Sequence, residues 1–324
     1  MSGRCYVGIE IGGTKLQIVA GDDDLQISHR ARTAIKKEAG AAGILTQMEA
    51  LLDDLTQTID PTAIGVGFGG PVDHVSGRIL TSHQVNGWSG FELAKKLKQR
   101  YGVPVVLDND ANAAALAEAL IGAGKDKERV FYITLGSGIG GGMVIDQKLY
   151  YGALPGEVEV GHLRLDRQGT TLEACCSGWA IDKKIREAIQ RQPFGKLYEL
   201  AWGGEGAGEG GEARHLSQAL AHGDPTAKNI LHEAAATLGF ALSHVVHLFH
   251  PDIMVVGGGL SLIGPALTDA IAAELDQHLL KAFLPGPPVV IAQCGEDVVP
   301  LGALALAREA TVDIFNLKQK NDFL

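Results

Sequence analysis

Cysteine is scarce in this chain: Cys5, Cys175, Cys176 and Cys294 are the four among 324 residues. That is too few for a disulfide scaffold and suits a reducing, cytoplasmic setting. No apolar N-terminal stretch of signal-peptide type is seen, because strand-like residues begin by Cys5–Tyr6. Long apolar runs are missing as well. The longest stretch free of Asp, Glu, Lys and Arg is Ala234–Pro251, and it carries His244, His247 and His250. A membrane span needs about 20 predominantly apolar residues, so none is expected. Positive charge is in the minority: 28 Lys and Arg against 38 Asp and Glu give a net charge of −10. That balance disfavours nonspecific binding to nucleic-acid phosphates, and no nucleic-acid partner is expected.

Glycine is the surplus. The 43 glycines are about 13% of the chain, against roughly 7% in average proteins. Disorder does not explain them, since 46% of residues are hydrophobic and mean hydropathy is +0.10. A strict three-residue period is lacking, which excludes collagen. Twenty fall in five clusters: Gly12–Gly13, Gly65–Gly70, Gly136–Gly142, Gly203–Gly211 and Gly257–Gly259. The fourth follows no apolar run and reads as a flexible loop, although Gly206, Gly208 and Gly211 match G-x-G-x-x-G.

The first and third clusters share a plan. In Tyr6–Ala20 and again in Val130–Ile145, β-forming residues enter a glycine turn and β-forming residues leave it, which predicts two hairpins. Gly136, Gly138 and Gly141 satisfy the dinucleotide fingerprint, but Met143-Val-Ile145 continues as a strand rather than a helix. A Rossmann reading is therefore rejected. Successive N–H groups in such turns form an anion site. Thr14, Lys15 and Ser137 add hydroxyls and a cation. Two such turns can clamp a polyphosphate, or each can be no more than a tight hairpin.

The remaining pattern alternates. Strands are predicted near 5–11, 15–20, 26–33, 63–67, 103–107, 253–256 and 289–292, with a short one near Ile79. Helices are predicted near 41–58, 91–101, 112–121, 264–280 and 301–310, with mostly helical chain between the second hairpin and residue 249. This is an α/β protein, expected as two lobes with an interdomain cleft. Gly122–Glu128 marks a boundary. The lobes are then 1–121 and 122–299, and the C-terminal helix, 300–324, returns to the first.

Two polar groups carry candidate chemistry. Asp108-Asn-Asp-Ala-Asn112 joins a strand to a helix. It offers N-caps, or a carboxylate placed to accept a hydroxyl proton. Glu157-Val-Glu-Val-Gly-His162, with Glu173 beyond, offers groups that can grip hydroxyls, or the wet face of a strand.

Five motifs occur in order: Gly8-Ile-Glu-Ile-Gly-Gly-Thr-Lys15, Asn109-Asp-Ala-Asn112, Leu135-Gly-Ser-Gly-Ile-Gly-Gly-Gly142, Glu159-Val-Gly-His162 and Val256-Gly-Gly-Gly259. In this the chain, from about Val7 to Ala307, resembles the ROK family of bacterial sugar kinases and sugar-responsive repressors. The resemblance implies an actin/hexokinase-like (ribonuclease H-like) ATPase fold. It places Gly12, Gly13, Thr14, Lys15, Gly136, Ser137 and Gly138 at the phosphates of ATP, and Gly257, Gly258 and Gly259 near its nucleoside. Asp110 becomes the base. Gly70, Asn109, Glu159, His162 and Glu173 become sugar contacts, and Glu10 an outer-shell partner of Mg²⁺. A homodimer is expected by the same resemblance.

The chain also departs from the family. After His162 the family's cysteine-rich zinc loop gives way to a shorter stretch without cysteine. Cys175 and Cys176 are adjacent and poorly arranged as tetrahedral ligands, so no structural zinc is expected. Two buried small side chains are expected there rather than a vicinal disulfide. Glu10 replaces an aspartate, Gly69 a proline, and Gln84 an asparagine of the sugar side. The three histidines of 244–250 read as a partly buried helix face rather than a metal site. The expected activity is ATP-dependent phosphorylation of a hexose, foremost glucose. Fructose and N-acetylhexosamines are the alternatives within the family. A sugar-responsive regulator is the alternative outside catalysis, and the seven residues before Gly8 are too few for a helix-turn-helix.

Overall fold

A computed structural model describes residues 3–82, 85–156, 158–203, 208 and 210–321. Gln84, Glu157 and most of the Gly203–Gly211 loop, all singled out above, lie outside the described residues. The chain divides into two compact units, one of Met1–Ile121, Gln147–Glu157 and Cys294–Leu324, the other of Gly122–Asp146 and Val158–Gln293. The return to the first unit thus starts at Cys294 rather than at residue 300. A short middle segment, which nothing in the sequence marks, joins that unit too.

In the first unit, β1 (Tyr6–Ile11) and β2 (Lys15–Gly21) form the first glycine hairpin and β3 (Ile27–Ala34) extends it. After α1 (Gly40–Leu55) comes β4 (Ala63–Phe68), then a two-stranded ribbon of β5 (Val72–Asp73) and β6 (Arg78–Ile79). Helix α2 (Leu93–Tyr101), β7 (Val105–Asn109) and α3 (Asp110–Ile121) follow. The sheet order is β3-β2-β1-β4-β7, antiparallel through the hairpin and parallel from β1 onward. β1 and β4 are covered on both faces, which is why they read as nearly unbroken apolar runs. On one face α1 buries Ala41, Ile44, Leu45, Met48 and Leu52 at helical spacing.

The second unit repeats the design. β8 (Arg129–Leu135) and β9 (Ile139–Ile145) form the second hairpin, and β8 pairs in parallel with β11 (Ile253–Gly257), which pairs with β12 (Val289–Ile291). The intervening Gln147–Glu157 segment of the first unit holds β10 (Lys148–Leu149). Helices α4 (Leu172–Cys176), α5 (Gly178–Arg191), α6 (Lys196–Trp202), α7 (Leu216–Ala221), α8 (Pro225–Phe249) and α9 (Pro265–His278) complete the unit. Helix α8 starts sharply because Asp224 caps Ala227 N–H at 2.9 Å and Pro225 opens the first turn. Leu238, Leu242, Ile271 and Leu275 bury its seam with α9 over Met254 and Val256.

The last helix, α10 (Val298–Asn321), belongs to the first unit and is longer than the expected 301–310. It covers the second face of that sheet at backbone distance. A Cβ on Gly65 would lie 1.9 Å from Ala303 O, and one on Gly302 would lie 1.8 Å from Ala113 O of α3. Gly65, in the middle of β4, is therefore a packing residue and not part of a turn. Among the described residues no helix is long and apolar enough to cross a membrane.

Candidate active site

The first glycine turn closes with a single bond, Gly12 N–H to Lys15 O at 3.0 Å. Among the described residues the N–H groups of Gly13 and Thr14 donate to nothing, which fits a site for an anion. Lys15 Nζ lies 2.8 Å from Glu10 Oε2 and 3.4 Å from Glu296 O. Glu10 Oε2 is buried and makes no hydrogen bond of proper geometry, so its pairing with Lys15 is one of charge rather than direction. Burial raises the Glu10 carboxyl above its usual range, with Lys15 opposing.

Asp110 opens α3, two residues before the helix start expected from sequence. Its Oδ1 accepts Ala111 N–H at 2.8 Å. A Cβ on Gly69 would lie 3.3 Å from Asp110 Oδ2 and 3.7 Å from Gly12 Cα. Asp110, Gly69 and the first glycine turn are thus neighbours. The capping expected somewhere in 108–112 falls to Asn109, whose Oδ1 accepts Ala111 N–H at 2.8 Å and Asn112 N–H at 3.3 Å. Its Nδ2 donates to Gly70 O at 3.2 Å, bringing those two sugar-side candidates together. Asp108 is buried and accepts Asn109 N–H (2.7 Å), Asn112 Nδ2 (2.9 Å) and the Tyr151 hydroxyl (2.6 Å). Burial raises its carboxyl, and these donors oppose the rise. Tyr151 stacks on His74 with centroids 3.8 Å apart and planes at 12°. Neither ring carries a sequence signal, since each reaches Asp108 only through the fold.

In the second unit the second glycine turn is stitched from several directions. Gly136 N–H donates to Gly138 O at 3.0 Å, Gly178 N–H to Gly136 O at 2.7 Å, and Ile139 N–H to Glu173 Oε2 at 2.8 Å. Glu173 lies in the first turn of α4, which Thr171 caps. Its carboxylate fills the space beside Gly138, where a Cβ would meet Oε2 at 2.6 Å. Glu159 precedes and His162 ends a short 3₁₀ turn, Val160–His162, not a strand. Their nearest charged atoms are 3.9 Å apart, with side chains 47% and 71% exposed. Gly161 of that turn abuts Ile139, its Cβ position 2.2 Å from Ile139 O. Glu159, His162, Glu173 and Gly136–Gly138 are therefore assembled at one place, with Ser137 exposed at the tip. Of the third run, Gly257 abuts the Tyr132 ring and Gly258 (φ +80°) the Leu135 backbone, while Gly259 has open space.

The remaining candidates are quieter. Cys175 and Cys176 are free thiols. Cys176 is buried with Sγ 3.7 Å from Ala234 O, its thiol pushed up to about 12 by burial, whereas Cys175 is only half-buried. His244 packs edge-on against Phe240, His247 Nε2 accepts Leu280 N–H at 3.1 Å, and His250 ends α8 against Phe283. Of the three only His244 is partly buried; the other two are exposed. Among the described residues no three His, Cys, Asp or Glu converge as metal ligands.

Two hairpin-led α/β sheets of this order, with glycine turns at the strand ends, define the actin/hexokinase-like fold, which solved relatives share. The solved structure of a ROK family glucokinase from Streptomyces griseus, in complex with glucose and AMPPNP, superposes with a TM-score of 0.83 at 32% identity, covering 94% of this chain and 99% of that one. The glucokinase of Streptomyces coelicolor is 32% identical over 94% of this chain and 97% of its own length. The glucokinase of Thermotoga maritima is 28% identical over the same shares. A model of the ROK family matches residues 6–310, and the chain belongs to that family.

Proposed function

We propose that this chain is an ATP-dependent sugar kinase that converts glucose to glucose 6-phosphate. The observation that carries the reading is Asp110, a carboxylate at a helix start beside Gly69 and the first glycine turn. Full-length similarity to glucokinases supports the choice of sugar.

Asp110 takes the proton of the attacking sugar hydroxyl as its oxygen approaches the γ-phosphorus. Asn109 and Gly70 position the sugar from the strand end, and Glu159, His162 and Glu173 accept or donate to its other hydroxyls. The Gly13 and Thr14 N–H groups and Lys15 neutralise phosphate oxygens, the Gly136–Ser137–Gly138 turn adds further donors, and Gly257–Gly259 receive the nucleoside. The ionic, undirected pairing of Glu10 fits an acceptor for metal-bound water. Mg²⁺ on the phosphates would supply charge neutralisation, with Glu10 holding its outer shell. A cytoplasmic homodimer completes the proposal, and sedimentation checks the dimer.

The test is a coupled ADP-release assay with Mg-ATP across glucose, fructose, mannose and the N-acetylated hexosamines. Glucose is expected to give the highest kcat/KM, and Asp110→Asn to lower kcat by about 10³-fold. Absence of turnover on every sugar overturns the kinase reading. An active Asp110→Asn overturns the base.

A further inference from the structure

We propose that Tyr151 and Asp108 are positioning residues for the proton acceptor, holding the Asn109–Asp110 turn through a buried hydrogen bond from a distant part of the chain; this rests on the kinase reading above. Asp108 is 1% exposed, and among the described residues no lysine or arginine pairs with it. Burying a carboxylate without a cation is costly unless donors surround it. Here three do: the N–H of Asn109, the amide of Asn112 and the hydroxyl of Tyr151. The first two are local to the turn. The third comes from 43 residues away.

The geometry assigns each donor a part. The bond from Asn109 N–H fixes the Asp108–Asn109 peptide, one residue before Asp110. With that peptide fixed, the Asn109 side chain can cap α3 and still donate to Gly70 O. The Tyr151 hydroxyl holds the other carboxylate oxygen at 2.6 Å, so the Asp108 side chain cannot turn away from the strand end. Tyr151 is itself fixed by the parallel His74 ring and by Gly156, whose Cβ position lies 3.2 Å from Tyr151 Cδ1 and 3.3 Å from His74 Cε1. His74 follows β5, the strand just beyond Gly70. One hydroxyl therefore ties the segment that carries Tyr151 to the strand end that bears the base. A misplacement of about 1 Å at a reacting group costs roughly 10²-fold in rate, so a loosened turn shows in turnover before it shows in binding.

Tyr151→Phe removes the hydroxyl and keeps the ring stack. At saturating glucose and Mg-ATP its kcat is expected to fall about tenfold, with both KM values within about twofold of the parent. Asp108→Asn/Tyr151→Phe is expected to be no worse than the poorer single variant, because both remove one coupled interaction. His74→Ala, which removes one support of the Tyr151 ring but keeps the hydroxyl, should lower kcat by less than Tyr151→Phe does. Hydrogen exchange at the amides of Ala111 and Asn112, both bonded to Asn109, should quicken in Tyr151→Phe without global unfolding. Parental kcat in Tyr151→Phe, a loss matched by the unfolded fraction, a rise in KM alone, or additive losses in the double variant would each overturn the proposal. An inactive parent protein would instead overturn the kinase reading on which it rests.

Discussion

The two glycine hairpins are built alike and finished differently. Each joins two antiparallel strands, and each first strand has a parallel neighbour on its other side, β4 beside β1 and β11 beside β8. The turn at Gly12–Gly13 keeps one internal bond and leaves two N–H groups free of partners among the described residues. The turn at Gly136–Gly138 is tied to α5 through Gly178 and to α4 through the Glu173 carboxylate. A cation serves the first turn and an anion the second. Strand pairing alone therefore does not decide what a glycine turn can bind; the side chain brought to its rim does.

The middle strands offer the severest trial of this contrast. Gly65 in β4 occupies the place that Val255 takes in β11, each paired with the central strand of its sheet. Gly65→Val would drive a side chain into Ala303 O, at a cost of about 3 kcal/mol or more in urea unfolding. Val255→Ala only empties space and should cost about 2 kcal/mol. Equal tolerance at the two positions would break the comparison.

The rims come next. Glu173→Ala leaves Ile139 N–H unpaired and removes the proposed sugar contact, so kcat/KM should fall about 10²-fold for glucose and for ATP alike. Glu173→Gln keeps a carbonyl oxygen and should recover part of the loss. Lys15→Ala should raise KM for ATP by about tenfold and leave KM for glucose nearly unchanged. Kinetics with each substrate varied in turn separate the two patterns.

The smallest effect concerns two strand-end aspartates. Burial holds the Asp108 carboxyl above its ordinary range, so the stability this gives is present below its unfolded pKa of about 3.9 and is lost as pH rises through the folded value. Asp252 at the foot of β11 is also penalised by burial. Its bonds with Arg129 outweigh that and lower its carboxyl, so its contribution is present above the unfolded pKa and lost as pH falls through the folded value. Relative to the parent, Asp108→Asn should therefore gain stability as pH rises from 4 to 7. Asp252→Asn should lose stability as pH rises from acid towards 4. Melting temperatures across that range check both slopes.

Much of this was legible beforehand. The β-rich flanks of both hairpins mark all four strands, and Met143-Val-Ile145 correctly excludes a strand–turn–helix site. The start of α3 was less plain, because Asp108, Asn109 and Asp110 are all good caps and only geometry shows Asn109 in that role. Gly65–Gly70 forms one cluster by composition, which does not separate the alternating glycines of the strand, Gly65 and Gly67, from Gly69 and Gly70 beyond its end. Tyr151 and His74 could not be found, since their partners are fixed by tertiary folding rather than spacing. Glu159 and Glu173 were named, but the bond from Ile139 N–H to Glu173 spans 34 residues and has no sequence signature.

The glycine-mediated seat of α10 has a consequence in time. The first unit is assembled from segments on either side of the second, and the helix touching Gly65 is synthesised only after every element of the second unit. The second unit lies almost wholly between those segments and can become compact while the first still lacks a layer. Until α10 arrives, one face of β1 and β4 is an uncovered, glycine-notched apolar surface of the kind chaperones shield. The vulnerable interval in the synthesis of this protein is thus the one between β4 and α10, when the first unit is still waiting to be closed.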